Sequence, residues 1–212
     1  MSLVMAISNC NGIVISADRR VTRDPVGGNS SLLLTDNERK LFVTKSGHAI
    51  ATVGSGVLKN MKSSSCLIKE VIDEMPSGML IGDELITIRN TLADNVFDDA
   101  YIILIGAGFD NGEQKVLSIS LKSEPPVAAT DALGYGLIYR GDDTELQEIF
   151  ELFPVDAAYY PIQEMVEYLK FLNRTVAGFQ KYSKHLQSIS EKCDVLVIRK
   201  SGVEWETTPK WL

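Results

Sequence analysis

The sequence predicts an α+β protein built as a four-layer αββα sandwich, in which two antiparallel sheets stack face to face and helices cover both outer faces. Three observations lead to this prediction. Consecutive strand patterns are joined by short turns, the helical patterns come in pairs, and these pairs alternate with runs of strands. Hairpin-connected strands with helices grouped between them indicate antiparallel layers and not a parallel sheet.

The chain begins with a predicted β-hairpin. Two runs with alternating apolar residues, 1–8 and 13–20, flank Asn11-Gly12. We expect a type I′ turn there, because Asn-Gly tolerates the positive φ that both central residues of this turn need. The polar stretch from Asp24 to Asn37 follows, and its segment Pro25–Asn29 is predicted to be an exposed loop.

Hydrophobic periodicity predicts the remaining elements, since alternation is typical of strands and a spacing of three or four residues is typical of helices. Gly106 and Gly108 give part of a dinucleotide-binding glycine motif. The run after Gly112 alternates like a strand, however, where that motif requires a helix, so Asp110-Asn111-Gly112 is predicted to be a hairpin turn. The predicted strands are 40–45, 48–54, 101–108, 114–121, 193–199 and 203–206, and the predicted helices are 57–75, 82–97, 143–153 and 161–183.

Length and composition limit the possible functions. The 212 residues are 45% hydrophobic and carry no linker or repeat, so we expect one domain over residues 1–212. The net charge of −7 provides no basic surface for nucleic acid or for an anionic membrane, and neither partner is expected. No apolar run is long enough for a signal peptide or a spanning helix. We therefore expect a cytoplasmic protein.

The cysteines and histidines argue against disulfides and metals. Cys10, Cys66 and Cys193 are scattered and odd in number, which fits a reducing compartment better than a disulfide framework or a zinc site. The two histidines, His48 and His185, are too few for a histidine-rich metal centre, and we expect both to be structural. No cofactor is predicted.

The N-terminus carries the candidate chemistry. If Met1 is removed, Ser2 becomes the first residue of a buried strand and holds a hydroxyl nucleophile beside a free α-amine. An α-amine has a pKa of about 7.7 to 8.0 and is partly neutral at pH 7, whereas a lysine side chain near 10.4 is almost fully charged. The terminal amine is therefore the expected general base, and a retained Met1 would abolish it. By itself, a serine at this position is more often an ordinary strand residue than a nucleophile.

The segment from Gly12 to Thr22 resembles the second strand of proteasome subunits, in which a G-V-V-x-A-A-D-x-R-x-T pattern recurs. In that register Ser2 stands where the family's catalytic β-subunits have their N-terminal threonine. Lys40 then matches the strand that carries the family's catalytic lysine, and Gly54 matches its oxyanion glycine. The chain is thereby identified as similar to the proteasome-like N-terminal nucleophile hydrolases, in particular to a bacterial 20S proteasome β-subunit.

This resemblance implies that Ser2, Asp18, Lys40 and Gly54 form a catalytic site. Lys40 would place a fixed positive charge beside Ser2, Asp18 would hold its ammonium group, and the Gly54 N–H would stabilise the oxyanion. The implied reaction is acyl transfer to Ser2 followed by hydrolysis, with a peptide or amide as substrate. The resemblance also implies a homo-oligomer, either a ring or a stacked assembly.

Two other functions stay open. The chain could be a non-catalytic structural subunit of a proteasome-like assembly, because Tyr135 in Gly134-Tyr135-Gly136 stands where catalytic members tend to carry a serine. It could also be an acyl transferase or small-amide hydrolase, since the fold does not choose between acceptors. The supporting acid and serine of the family are not assignable from sequence, although Ser188, Ser190 and Asp194 lie in the region where they are expected.

Overall fold

The computed structural model describes residues 2–23, 32–123, 125–131, 134–152, 156–182 and 187–206. Met1, the predicted loop segment Pro25–Asn29 and His185 lie outside the described residues. Within the described part of the chain, twelve strands and four α-helices are present. The strands are β1 Leu3–Asn9, β2 Gly12–Asp18, β3 Val21–Arg23, β4 Leu32–Thr35, β5 Leu41–Val43, β6 Ala49–Gly54, β7 Ile102–Asp110, β8 Glu113–Ser120, β9 Val127–Ala128, β10 Gly136–Gly141, β11 Cys193–Arg199 and β12 Gly202–Trp205; the helices are α1 Ser64–Glu74, α2 Ile81–Ala93, α3 Thr144–Leu152 and α4 Ile162–Tyr182.

The strands form three antiparallel sheets, and the structure is α+β overall. One five-stranded sheet has the order β10-β1-β2-β11-β12, the other has the order β5-β6-β7-β8-β9, and β3 pairs with β4 in a separate ribbon. The prediction of a four-layer αββα sandwich made of two sheets is therefore wrong. Part of the stretch predicted to be polar loop forms β4, where Leu33 and Leu34 stay about half exposed instead of joining a main sheet.

Buried side chains form three clusters. In β1, alternate residues belong to different clusters: Met5 packs with residues of α4, while Ala6 packs with residues of β7. Strands β1 and β2 are buried along their whole length, as expected when a strand is covered on both faces. The third cluster joins α1 and α2 to the sheet that contains β6 and β7. The first two clusters therefore hold β1 and β2, and with them the buried Ser2, inside the protein.

The first hairpin forms, but its predicted type I′ turn is wrong. Asn9 pairs with Gly12, so the central residues are Cys10 and Asn11, and neither has a positive φ. The Asn9 side chain determines this turn, because its Oδ1 accepts a hydrogen bond from the Asn11 N–H at 2.9 Å.

The helices follow the predicted order, with one large shift at a boundary. Helix α1 begins at Ser64 and not at Val57, because Ser63 caps it by accepting the Cys66 N–H at 3.1 Å. Before the cap, Met61 has a φ of 64°, which is incompatible with a helix. Within the described residues, no helix combines the length and the apolar character needed to cross a membrane.

Strand β10 is absent from the sequence-based assignment, which places a helix soon after Gly136. Residues Gly136–Gly141 instead pair antiparallel with β1, so that Gly141 lies opposite Leu3. This strand brings the chain at Gly141 and Asp142 to the N-terminal end of β1, where Ser2 lies.

Candidate active site

Asp18, the last residue of β2, is fully buried and organises the predicted site. Its Oδ1 accepts hydrogen bonds from Lys40 Nζ at 2.8 Å and from the Leu3 N–H at 2.9 Å. Its Oδ2 accepts the N–H groups of Arg20 at 2.8 Å and Ser190 at 3.3 Å. One carboxylate thus connects the lysine to the backbone of the residue that follows Ser2.

Lys40 lies just before β5, and only 4% of it is exposed. Its ammonium also donates a hydrogen bond to the Arg20 carbonyl oxygen. Its own carbonyl oxygen accepts the Thr52 N–H at 3.0 Å, which fixes the lysine backbone against β6. A buried ammonium is stable only when an anion and hydrogen-bond acceptors replace its water, and Asp18 and the Arg20 carbonyl meet that need.

Ser2 is 3% exposed and precedes β1. Its carbonyl oxygen accepts the Asp142 N–H at 2.9 Å. Gly141, with a φ of +118°, makes this approach possible, because a Cβ at that position would lie 1.8 Å from the Ser2 oxygen. The end of β10 therefore holds the Ser2 backbone in place.

Gly54 ends β6 with a φ of +114°, and a Cβ there would lie 1.8 Å from the Tyr101 carbonyl oxygen. Together with Ser2 and Lys40 it lines a cavity of about 20 Å³, which is room for one water molecule. The other lining residues are Arg20, Val21, Thr22, Glu38, Thr52, Gly56, Ser64 and Ser65. Three of the four predicted site residues line this cavity, and the fourth, Asp18, binds Lys40.

The lining of the cavity carries both signs of charge. Lys40 is a cation paired with Asp18, Glu38 is an anion, and Ser64 and Ser65 form the start of α1, where the helix dipole adds a partial positive charge. Beside Lys40 and this helix start, a hydroxyl that loses its proton, or a carbonyl oxygen that gains charge, would be stabilised. The catalytic roles of the four residues stay predictions.

Arg20 at the cavity wall is held by Asp36. Its Nε and Nη2 donate to the two carboxylate oxygens at 2.6 Å and 2.8 Å, and Nη1 donates to the Gln187 carbonyl oxygen at 3.0 Å. The hydrogen bond from Arg20 lowers the pKa of Asp36, and the same bond raises the pKa of Arg20. Both groups therefore stay charged and orient this wall.

Tyr135 does not lie near Ser2. Gly136 pairs with Ser8 and Gly141 pairs with Leu3, so Tyr135 stands at the opposite end of β10. At about 3.3 Å per strand residue, the separation from Ser2 along β1 is about 20 Å. Matching the letters Gly-Tyr-Gly to the family's motif was therefore wrong, because strand pairing brings Gly141 and Asp142 to Ser2 instead.

Sequence reasoning placed Ser188 in the expected region but missed the polar cluster next to Ser2 to which it belongs. Asp142 Oδ2 accepts hydrogen bonds from the Ser188 hydroxyl and from Gln180 Nε2, the latter at 3.1 Å. Gln180 Oε1 in turn accepts the Ser188 N–H at 2.9 Å. The glycine and aspartate at the end of an apolar run were the only local signal for this cluster, since its members come from distant parts of the chain.

Of the three residues left unassigned by sequence, Ser188 belongs to that cluster and Ser190 donates its N–H to Asp18. Asp194 is separate, because its Oδ1 accepts Arg19 Nε at 2.9 Å. Burial raises the pKa of Asp194, and the hydrogen bond from Arg19 opposes this shift without cancelling it.

His48 lies at the other end of β6 from Gly54 and does not line the cavity. Its Nδ1 is 2.8 Å from Glu84 Oε2, and its Nε2 is 3.6 Å from Asp110 Oδ1. Among the residues that the structure describes, no three His, Cys, Asp or Glu side chains are arranged to hold a metal ion.

Comparison with known proteins yields similarity of fold. No protein-family model matches the chain, and no curated protein does. A solved structure of Anbu from Hyphomicrobium sp. strain MC1 is 13% identical in sequence to this chain and superposes with a TM-score of 0.64. The match covers 97% of this chain and 85% of the Anbu chain. A Gly-1 mutant of Anbu from the same strain is 14% identical with a TM-score of 0.65, and that match covers 98% of this chain and 85% of the mutant chain.

These matches correct the expected recognition. The sequence pointed to a bacterial 20S proteasome β-subunit, whereas these two matching structures are of Anbu, a bacterial proteasome-like protein. At 13–14% identity the likeness concerns the fold alone. The chain therefore has a fold similar to that of Anbu.

Proposed function

We propose that this chain is a hydrolase that cleaves peptide or amide bonds through Ser2, which becomes the first residue when Met1 is removed. The observation that carries this proposal is the shared cavity of Ser2 and Lys40. Behind that cavity, Asp18 binds both Lys40 Nζ and the Leu3 N–H, which ties the cation to the residue next to Ser2.

In the proposed reaction, Ser2 Oγ attacks the substrate carbonyl carbon and its proton passes to the Ser2 α-amine. The α-amine then gives this proton to the leaving nitrogen as the C–N bond breaks, which leaves an ester on Ser2. A water molecule deprotonated by the α-amine hydrolyses the ester, and the proton returns to Ser2 Oγ.

The surrounding groups stabilise charge in this reaction. Lys40 favours the deprotonated hydroxyl and keeps the neighbouring amine less basic. The Gly54 N–H is the proposed oxyanion donor, and a donor of this kind typically contributes about 2.7 to 4 kcal/mol to transition-state stabilisation. The cavity has room for about one water molecule, which is what the second half of the reaction needs.

The proposal includes a cytoplasmic location, no cofactor and self-association into a ring or stacked homo-oligomer. The sequence resemblance supports the self-association. The alternative of a non-catalytic subunit was favoured by Tyr135 and by any retention of Met1. The distance of Tyr135 from Ser2 argues against the first ground, and the mass of the native protein tests the second. No observation favours an acyl acceptor other than water.

The test combines intact-mass analysis with labelling by a hydroxyl-reactive β-lactone. Protein from its native host is expected to lack Met1, and the label is expected on Ser2 by peptide mapping. Ser2→Ala and Lys40→Ala should both abolish labelling while circular dichroism shows unchanged folding. Ser16→Ala is the matched control, because Ser16 is another buried serine that does not line the cavity, and this variant should leave the labelling rate unchanged.

Two results would overturn parts of the proposal. Native protein that quantitatively retains Met1 would remove the α-amine from Ser2 and exclude the mechanism. Labelling of Lys40→Ala at the wild-type rate would show that the lysine charge does not activate Ser2.

A further inference from the structure

One carboxylate at the cavity wall has no counterion. Glu38 lines the cavity and is partly buried, and its N–H donates to the Arg19 carbonyl oxygen at 3.1 Å, which fixes its backbone. Within the part of the chain that the structure describes, its carboxylate forms no ion pair and no hydrogen bond with another side chain. Removing part of the water around a charge costs free energy unless an opposite charge replaces that water. A cation that enters the cavity would meet this need.

The chain neighbours of Glu38 do not provide this cation. Arg39 does not line the cavity, and its guanidinium lies 5.6 Å from the centre of the Trp205 ring. Lys40 does line the cavity, but its Nζ is paired with Asp18 Oδ1 at 2.8 Å. This alternation is typical of an extended segment, in which successive side chains point to opposite sides. Glu38 and Lys40 thus share the cavity, and the charge of the lysine is already matched.

The other cation of the cavity wall is matched as well. Arg20 Nε and Nη2 donate to the two carboxylate oxygens of Asp36 at 2.6 Å and 2.8 Å. Glu191 and Lys192 also act on this ion pair, and their charges are opposite. Each cation that lines the cavity therefore has its own carboxylate, and the negative charge of Glu38 is in excess.

The Ser2 α-amine does not offset Glu38 either, because a general base accepts a proton only in its neutral form. The substrate is then the remaining source of a cation. The cavity of about 20 Å³ has room for one group of the size of a water molecule. An ammonium group is a compact point charge, whereas a guanidinium group is planar and wider. The cavity therefore favours an ammonium group.

We propose that Glu38 binds an ammonium group of the substrate and makes the enzyme selective for amides that carry one close to the scissile carbonyl. Because Ser2 and Glu38 line the same small cavity, the ammonium lies near the carbonyl carbon that Ser2 attacks. The free α-amine of an N-terminal residue meets this condition directly, and a lysine side chain carries the same group on a longer stem. This inference rests on the proposed hydrolase and names a class of its substrates.

Three chromogenic amides test the selectivity and the source of the ammonium. Native protein that lacks Met1 is assayed with alanine p-nitroanilide, Nα-acetylalanine p-nitroanilide and Nα-acetyllysine p-nitroanilide. We expect kcat/KM for alanine p-nitroanilide to exceed that for its acetylated form by at least about tenfold, because only the free amine forms a charged hydrogen bond with Glu38. Glu38→Gln should remove this preference. A preference for the acetyllysine substrate that Glu38→Gln removes would support the proposal and identify the side chain as the source.

Further variants separate the charge of Glu38 from a structural role. Glu38→Asp retains the carboxylate and should retain part of the preference. Glu38→Lys should instead favour N-succinylalanine p-nitroanilide, in which a carboxylate replaces the ammonium. Glu148→Gln is the matched control, because Glu148 is an exposed carboxylate on α3 that does not line the cavity, and it should leave all rates unchanged.

Protection of Ser2 from the β-lactone tests binding without turnover. Alaninamide should slow the labelling at concentrations at which N-acetylalaninamide does not, and Glu38→Gln should lose this difference. The role of Glu38 would be overturned, while the hydrolase stands, if neither ammonium substrate is preferred over acetylalanine p-nitroanilide or if a preference survives in Glu38→Gln. Wild-type protein that lacks Met1 and shows no β-lactone label on Ser2 would overturn the hydrolase itself, and this inference with it.

Discussion

Removing either member of the buried Asp18–Lys40 pair should destabilise the protein, but by different amounts. Asp18→Asn leaves the Lys40 ammonium buried without its anion, and the new amide nitrogen faces N–H donors that previously bonded a carboxylate oxygen. The loss of one partner from a buried pair typically costs about 3 to 5 kcal/mol. We expect a loss in that range for Asp18→Asn.

Lys40→Met should cost less. The Asp18 carboxylate keeps the N–H groups of Leu3, Arg20 and Ser190 and loses one charged hydrogen bond. A hydrogen bond to a charged group contributes about 1.5 to 3 kcal/mol, and this is the expected loss. In the double variant no ammonium is left uncompensated, so its cost should fall below the sum of the single costs by about 1.5 to 3 kcal/mol.

The free energy of unfolding is measured by urea denaturation followed by circular dichroism for the four proteins of this cycle. Lys69→Met is the control, because Lys69 forms an exposed ion pair with Asp73 on α1, and it should change stability by less than about 0.5 kcal/mol. The reasoning is refuted if Lys40→Met costs more than Asp18→Asn. It is also refuted if the single costs add within about 0.5 kcal/mol.

Three further predictions concern other groups. Burial alone would lower the pKa of His48, but the carboxylates of Glu84 and Asp110 outweigh burial and raise that pKa. The cation nearest to this group is Lys115, whose Nζ is 3.6 Å from Asp110 Oδ2. Protonated His48 therefore stabilises the folded protein fully below about pH 6.5, and this stabilisation is lost as the pH rises through the raised pKa. Urea midpoints measured from pH 6 to 9 should fall less steeply in His48→Gln than in the wild-type protein. Burial raises the pKa of Cys193 to about 11, so iodoacetamide at pH 8 should alkylate Cys10 and Cys66 but reach Cys193 only in urea, as peptide mass spectrometry can determine. Gly141→Ala should lower the free energy of unfolding by at least about 3 kcal/mol, because the new Cβ would overlap the Ser2 carbonyl oxygen. Gly112→Ala places its Cβ in open space and should cost about 1 kcal/mol. Equal urea midpoints for the two variants would contradict this expectation.

Much of the secondary structure could be predicted because its signals are local. The apolar periodicity of α4 spans its whole length, and its predicted range, 161–183, begins one residue before the observed helix and includes all of it. The hairpin between β7 and β8 was predicted from Asn111-Gly112, which adopt φ values of 53° and 82°. Such patterns depend on neighbours in the chain and need no knowledge of the fold.

Strands β4 and β10 could not be predicted in this way. Each is short, and β10 is bounded by glycines, so its pattern is too brief to distinguish from a loop. They exist because a partner strand supplies hydrogen bonds, and in β10 that partner lies more than a hundred residues earlier in the chain. The third sheet and the position of Tyr135 both follow from these two strands.

The sequence by itself determined the nature of the candidate chemistry: a serine beside the N-terminus, and Asp18, Lys40 and Gly54 at spacings that resemble one family. These residues belong to β1, β2, β5 and β6 or border them, and local alternation defines those strands. Only the tertiary structure decided what surrounds Ser2, namely the Asp18 carboxylate between Lys40 and the Leu3 N–H, and the cluster of Asp142, Ser188 and Gln180. The physical reason is that hydrogen bonds between distant residues depend on strand pairing and burial, which a linear pattern does not contain.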